Sequence, residues 1–322
     1  MPGAFFVDAG GMIPHGAQGE IMTGSTADEF DHLAENRAEI GRDDFPLPVV
    51  ERETVDVEGR ALSALRWGRA DPEVVFLHGG AQNAHTWDSV ILELICRRPD
   101  LSAVAIDLPG HGHSDRRADR DYMPWTAAEA VLPVIGEVAP RARMLVGMSL
   151  GGLTAIRAVG LRPALVAHTV VVDVTPSVST RLQGMSADQR GTTELASGPA
   201  LFDDIESMTD SIAAMAPHRP RSAIRRGVIH NSKPVGTRYE WRYDRLSGAD
   251  DFRPLWEHVE TADTHFTLVR GGDSTFVDDA DAREFAERAA RFSEVVIAGA
   301  GHSVQSDRPV ELAAVIDSAL EG

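Results

Sequence analysis

The sequence predicts an α/β architecture, a mostly parallel sheet flanked by helices, with a helical cap inserted late in the chain. Three observations predict it. From about residue 46, short apolar runs of strand length alternate with helical stretches, the pattern of buried parallel strands joined by crossover helices. Several of those runs end in glycine-containing loops that carry Ser, His or Asp. The interval Thr175–Asp263 breaks the rhythm: it holds helical pieces and no clear strand run, and is too long for a simple loop.

Taken in order, the first ~20 residues read as a poorly ordered tail. Ser25–Ile40 reads as an acidic helix with a capping start at Ser25-Thr26. Residues 1–45 are therefore set apart from the core, and no function is assigned to them. Glu51–Val57 and Ala61–Trp67 are strand-like and are separated by Glu58-Gly59. The core strands are expected at Glu73–Leu77, Leu101–Ile106, Arg143–Val146, His168–Val172, His265–Val269 and Glu294–Ile297. Helices are expected at Trp87–Cys96, Trp125–Val138, Leu150–Val159, Asp279–Ala290 and Pro309–Leu320. The core is thus residues 46–174 and 264–322, and 175–263 forms the cap.

Bulk properties narrow the function classes. With a formal charge of −18, the surface repels nucleic-acid phosphates and anionic lipid, so no nucleic-acid partner is expected. Lys233 is the sole lysine among 31 basic residues. No segment approaches the ~18 apolar residues of a membrane span, and no signal-peptide pattern opens the chain, so a cytoplasmic location is expected. The single cysteine, Cys96, forms no intramolecular disulfide and is expected to be buried and inert.

The chemistry gathers at three strand ends. Met144-Leu-Val-Gly147-Met-Ser149-Leu-Gly151-Gly152 is a strand running through Gly-x-Ser-x-Gly into a helix, the nucleophile elbow of the α/β-hydrolase fold. Such a turn needs Gly147 and Gly151 without side chains and lifts Ser149 Oγ above the sheet. After Val75-Phe-Leu come His78-Gly79-Gly80-Ala81, a loop placed to donate one backbone N–H to an oxyanion. The donors expected are Gly80 and Leu150, with His78 bracing the loop. His302, in Gly299-Ala-Gly301-His302 behind the last strand, is the expected general base.

For the orienting acid two candidates stand. After His265–Val269 the chain reads Arg270-Gly-Gly-Asp273-Ser274, so the in-register position of a Gly-x-x-Asp pattern holds Ser274, and Asp273 is one residue off. Asp173 ends the strand after the elbow's own helix, and is preferred. His111-Gly-His113-Ser-Asp115 has a metal-ligand spacing, but its glycines and Pro109 suit a tight turn, and no metal or other cofactor is expected.

Together His78–Trp87, Asp107-Leu-Pro-Gly-His-Gly-His-Ser114, Gly147–Gly151, Val170-Val-Val-Asp-Val-Thr-Pro176, Trp241-Arg-Tyr-Asp244 and Gly301-His-Ser-Val-Gln-Ser-Asp307 resemble the mycobacterial α/β-hydrolase-fold serine esterases. These are in turn similar to the bacterial YbfF-type short-chain esterases. The resemblance implies that Asp173 is the triad acid, that the Gly271–Ser274 loop supplies none, and that a small-molecule ester of short to medium acyl chain is the substrate. Thioesterases, carbon–carbon bond hydrolases and a non-catalytic ligand-binding scaffold share these residues, and labelling by a fluorophosphonate would separate the last. The cap methionines Met208 and Met215 are expected to line the acyl pocket. Oligomeric state is not readable.

Overall fold

The computed structural model describes residues 29–186, 200–245 and 251–321. The capping start expected at Ser25-Thr26 lies outside them. Eight strands form one sheet: β1 (Val50–Val57), β2 (Arg60–Trp67), β3 (Val74–Leu77), β4 (Ala103–Ile106), β5 (Met144–Met148), β6 (His168–Val172), β9 (His265–Gly271) and β10 (Phe292–Ile297). Their spatial order is β1-β2-β4-β3-β5-β6-β9-β10. β2 runs antiparallel to both neighbours, and every pair from β4 to β10 is parallel. The central strands are Val-, Leu- and Ile-rich and buried on both faces, which requires helices above and below. Two apolar cores result. One packs Leu77, Val104, Leu145 and Val171 against the helices Pro124–Val138 and Leu150–Leu161. The other packs Phe76, Val146 and Val172 against Asp88–Arg97 and Pro309–Glu321.

The intervening segment is not wholly helical. Between the helices Ile205–Met215 and Arg221–Asn231 and the return to the core lies a hairpin, β7 (Ser232–Val235) with β8 (Arg238–Trp241), turning at Gly236. Its strands are only four residues long, contain Lys233 and Pro234, and are half exposed, so no apolar alternation betrays them. The segment has its own small core of Phe202, Met208, Ile224, Val228, Trp241 and Tyr243. Met208 is therefore enclosed within this core rather than facing a pocket. At the far end, helix Trp256–Thr261 leaves this group: Trp256 packs edge-on against Phe285 in the main core.

The N-terminal helix is Leu33–Glu39, shorter than expected, with Leu33 buried against the core. Its acidic face reaches the buried Arg226 of helix Arg221–Asn231, through Glu35 (3.1 Å) and Glu39. Cys96 is half-buried rather than buried, and burial, with Glu93 beside it, pushes its thiol above the ordinary value.

Candidate active site

Ser149 stands between β5 and helix Leu150–Leu161 at φ 50°, ψ −116°, a left-handed backbone that L-residues seldom adopt. A Cβ on Gly147 would strike the carbonyl of Gly151, and one on Gly151 would strike that of Leu77. The turn is that tight because the helix folds straight back over the strand that feeds it. Leu150 opens the helix, so its N–H has no carbonyl partner within it.

His302 follows β10 on a loop held by Gly301 N–H to Asp307 Oδ2 (2.9 Å). Its Nδ1 lies 2.8 Å from Asp173 Oδ2. Its Nε2 is buried and makes no hydrogen bond to the described residues. The Phe276 ring stacks on the imidazole at 3.5 Å and 12°. Asp173 is fully buried at φ 53°, just past β6, and its N–H donates to Val269 O (2.7 Å). Asp273, the other candidate, is exposed, and its backbone N–H bonds Ala300 O (2.9 Å).

The loop after β3 is fixed from several sides. His78 is fully buried; Leu108 N–H donates to its Nε2 (2.9 Å), so its Nδ1 carries the proton and donates to Gly79 O (2.8 Å). Burial holds His78 below the usual histidine range, keeping it neutral. Ala81, at φ 60°, donates its N–H to His111 Nε2 (3.2 Å). Ala81 O accepts from Asn231 Nδ2 (2.8 Å), so the insertion itself grips the loop. Asp107 lies beneath, fully buried, accepting from Ala84 N–H (2.8 Å), His113 N–H (3.0 Å) and Arg52 (2.9 Å).

Ser149, His302, Gly80 and Ala81 open onto one cavity of about 400 Å³. The insertion contributes Ile212, Ala223, Ile224 and Gly227 to its wall; Met208 and Met215 are not part of it. The N-terminal segment contributes Asn36, Glu39 and Ile40, a role that sequence reading missed because a short acidic helix carries no mark of what it packs on. Arg219, in the cavity wall, bonds Asp307 (2.6 Å) and so ties the insertion to the His302 loop as well.

The His111–Asp115 spacing is spent on structure. His111 is fully buried with Nδ1 on Pro109 O (3.0 Å), and Asp115 accepts from Ala61 N–H (2.8 Å). Burial pushes His111 down to about 3. Elsewhere among the described residues, His85, Asp88 and His230 bring ligand-type atoms within 4.8 Å of one another. Yet both ring nitrogens of His85 are closed, by Asp88 (2.9 Å) and Glu29 (3.0 Å), and its ring lies parallel to His230 at 3.8 Å. Ring lone pairs lie in the ring plane, so rings stacked this way do not converge on one ion. Burial opposes a charge on His85, but Asp88 and Glu29 outweigh it and push the imidazole to about 9.

The model of the alpha/beta hydrolase family matches residues 74–315. The chain belongs to that family. It is 47% identical over 296 residues to esterase Rv0045c of Mycobacterium tuberculosis, covering 91% of this chain and 96% of that one. A solved structure of the same esterase, reported with its inhibition by transition metals, superposes with a TM-score of 0.82 over 92% of this chain and 100% of that chain. A more distant relative in the family is 2-(acetamidomethylene)succinate hydrolase of Mesorhizobium japonicum, 27% identical over 79% of this chain and 90% of that protein.

Proposed function

We propose that the protein is a serine hydrolase that cleaves carboxylic esters of short to medium acyl chain through an acyl-enzyme. The carrying observation is the 2.8 Å pair of Asp173 and His302 Nδ1, with the ring's Nε2 unbonded and His302 and Ser149 lining one cavity. In this reading His302 Nε2 takes the Ser149 proton as Oγ attacks the ester carbonyl. The N–H groups of Gly80 and Leu150 bind the oxyanion, and Asp173 fixes the tautomer and balances the imidazolium. His302 then protonates the departing alcohol and activates the water that releases the acid.

The curated relative is named an esterase, which supports the same substrate class. A cavity walled by Asn36, Gln82, Thr86 and Gln305 as well as Ile212 and Ile224 favours short acyl chains over long ones. The helices Ile205–Met215 and Arg221–Asn231 act as the cap over it, and the single cysteine suits a cytoplasmic enzyme. The test is a p-nitrophenyl ester series from acetate to palmitate with Ser149→Ala alongside. The variant is expected to lose roughly 10⁴–10⁶-fold in kcat with its fold intact. Activity within about tenfold of wild type would end the serine-hydrolase reading.

A further inference from the structure

The insertion lines the cavity with apolar residues, Ile212, Ala223, Ile224 and Gly227, while the core lines it with Gln82, Thr86, Asp88 and Gln305. Gln305 follows His302 by three residues and is only 1% exposed. Which way its amide faces is fixed by its neighbours. Gly79 N–H donates to Gln82 Oε1 (3.1 Å), so that atom of Gln82 is an acceptor. The Gln305 atom that approaches the same oxygen (3.3 Å) must then be Nε2, which also donates to Thr86 Oγ1 (3.1 Å). Gln305 Oε1 is the remaining end of the amide, buried and without a hydrogen bond to the described residues. Asp88 repeats the pattern: its Oδ2 pairs with His85 Nδ1 (2.9 Å), and its Oδ1 is buried and unbonded. Arg226, in the insertion's wall, also keeps an unbonded Nε, but its guanidinium is held by Glu35 and Glu39. Native interiors seldom leave a buried acceptor unmatched, so two in the wall of one substrate cavity point to donors that the substrate brings.

We propose that the alcohol half of the substrate carries a hydroxyl that donates to Gln305 Oε1, so that the enzyme's esters join a short acid to a hydroxylated alcohol such as a glycol or glycerol. The inference rests on the ester-hydrolase reading above. The division of the cavity sets which half is hydroxylated: an apolar acyl chain belongs against Ile212, Ala223, Ile224 and Gly227, which leaves the polar wall to the alcohol. The chemistry agrees, because His302 protonates the departing alcohol and Gln305 lies on the same loop as His302. A neutral hydroxyl fits better than an ammonium group. Gln305 carries no charge, and the Asp88 carboxylate already faces His85. Gln305 thus determines specificity by what it withholds: an alcohol without a donor leaves the acceptor unpaired, and binds the site less well in the transition state.

The experiment compares kcat/KM for hydroxyethyl, propyl and methoxyethyl butyrate on the wild-type enzyme and on Gln305→Met. The hydroxyethyl and propyl esters match in size and differ in the donor. The methoxyethyl ester keeps the oxygen that makes the alcohol a better leaving group, and lacks the donor. Wild type is expected to prefer the hydroxyethyl ester over each of the others by roughly tenfold or more. Gln305→Met removes the acceptor at similar length and is expected to bring both ratios below about threefold. The variant also loses the bond to Gln82, which braces Gly79, and that loss slows all three esters alike. A residue that only held the loop would therefore lower every rate and leave the ratios in place. Wild-type ratios within about twofold overturn the proposal whether or not the variant folds, and a folded Gln305→Met with wild-type ratios overturns the role of Gln305. A second arm compares propyl β-hydroxybutyrate with propyl isovalerate, which places the hydroxyl on the acid instead. A preference there, and none among the alcohols, overturns the assignment to the alcohol half. No hydrolysis of p-nitrophenyl butyrate would instead remove the ester-hydrolase reading, so the two failures are distinguishable.

Discussion

Replacing Asp107 by Asn tests whether the scaffold beneath the loop after β3 is built on charge. Asp107 is fully buried and accepts three hydrogen bonds, from Arg52, Ala84 N–H and His113 N–H. An amide keeps one acceptor oxygen and turns a donor toward groups that are themselves donors. Arg52 keeps Glu29 as a second partner, so it is not stranded. Breaking a buried pair costs about 3–5 kcal/mol, and the surviving Glu29 partner puts this case toward the lower end. At about 2 °C per kcal/mol for a chain of this size, the melting temperature should fall by roughly 6 °C. Burial alone would raise the Asp107 carboxyl, but Arg52 and the two backbone donors outweigh it and hold it below the ordinary value. A carboxyl lowered in the folded state adds stability above its unfolded value and loses it as pH falls. The gap between wild type and variant therefore narrows below about pH 4. Differential scanning fluorimetry from pH 3.5 to 8 reads both effects. A shift under 2 °C at pH 7, or a gap that widens in acid, would refute the account.

Gly227 faces the cavity from a helix with nothing within 4 Å of an added Cβ, so Gly227→Leu should fold and fill the acyl end. The octanoate-to-acetate ratio of kcat/KM is then expected to fall at least about 10-fold, and an unchanged ratio would show that the insertion does not line the acyl site. Asp273→Asn should stay within about tenfold of wild-type kcat/KM, its side chain being exposed; a crippled variant would reopen the choice of acid. Gly147→Ala drives a Cβ into the Gly151 carbonyl and should cost roughly 1–3 kcal/mol or more by urea denaturation, with loss of esterase activity.

What the sequence revealed and what it hid divide along physical lines. The strand His168–Val172 was legible to the residue, because its Val170-Val-Val172 run is buried on both faces and must be apolar. Gly147, Gly151 and Ser149 were legible because a backbone turn of that tightness admits almost no other spacing. The β7–β8 hairpin was not, since four half-exposed residues per strand leave no periodicity to read. Nor was the side of the helix on which Met208 lies: composition says that it is buried, and only packing says against what. The Leu33–Glu39 wall of the cavity was hidden for a different reason, its partner Arg226 being 187 residues away from Glu39.

The same insertion bears on how the molecule folds. β6 and β9 are neighbours in the sheet, yet 92 residues separate Val172 from His265. Closing so long a loop costs about 2 kcal/mol more chain entropy than a six-residue connection, which would make this the slowest strand pairing to nucleate. The small core around Phe202, Met208 and Trp241 offsets part of that cost, because an insertion that gathers on itself shortens the free chain between the two strands. Asp173, just past β6, and Gly271, at the C-terminal end of β9, join by a hydrogen bond only once that loop has closed. The Asp173–His302 hydrogen bond should thus be among the last contacts to form, and weakening the core of the insertion should slow recovery of activity after refolding more than recovery of bulk helical signal.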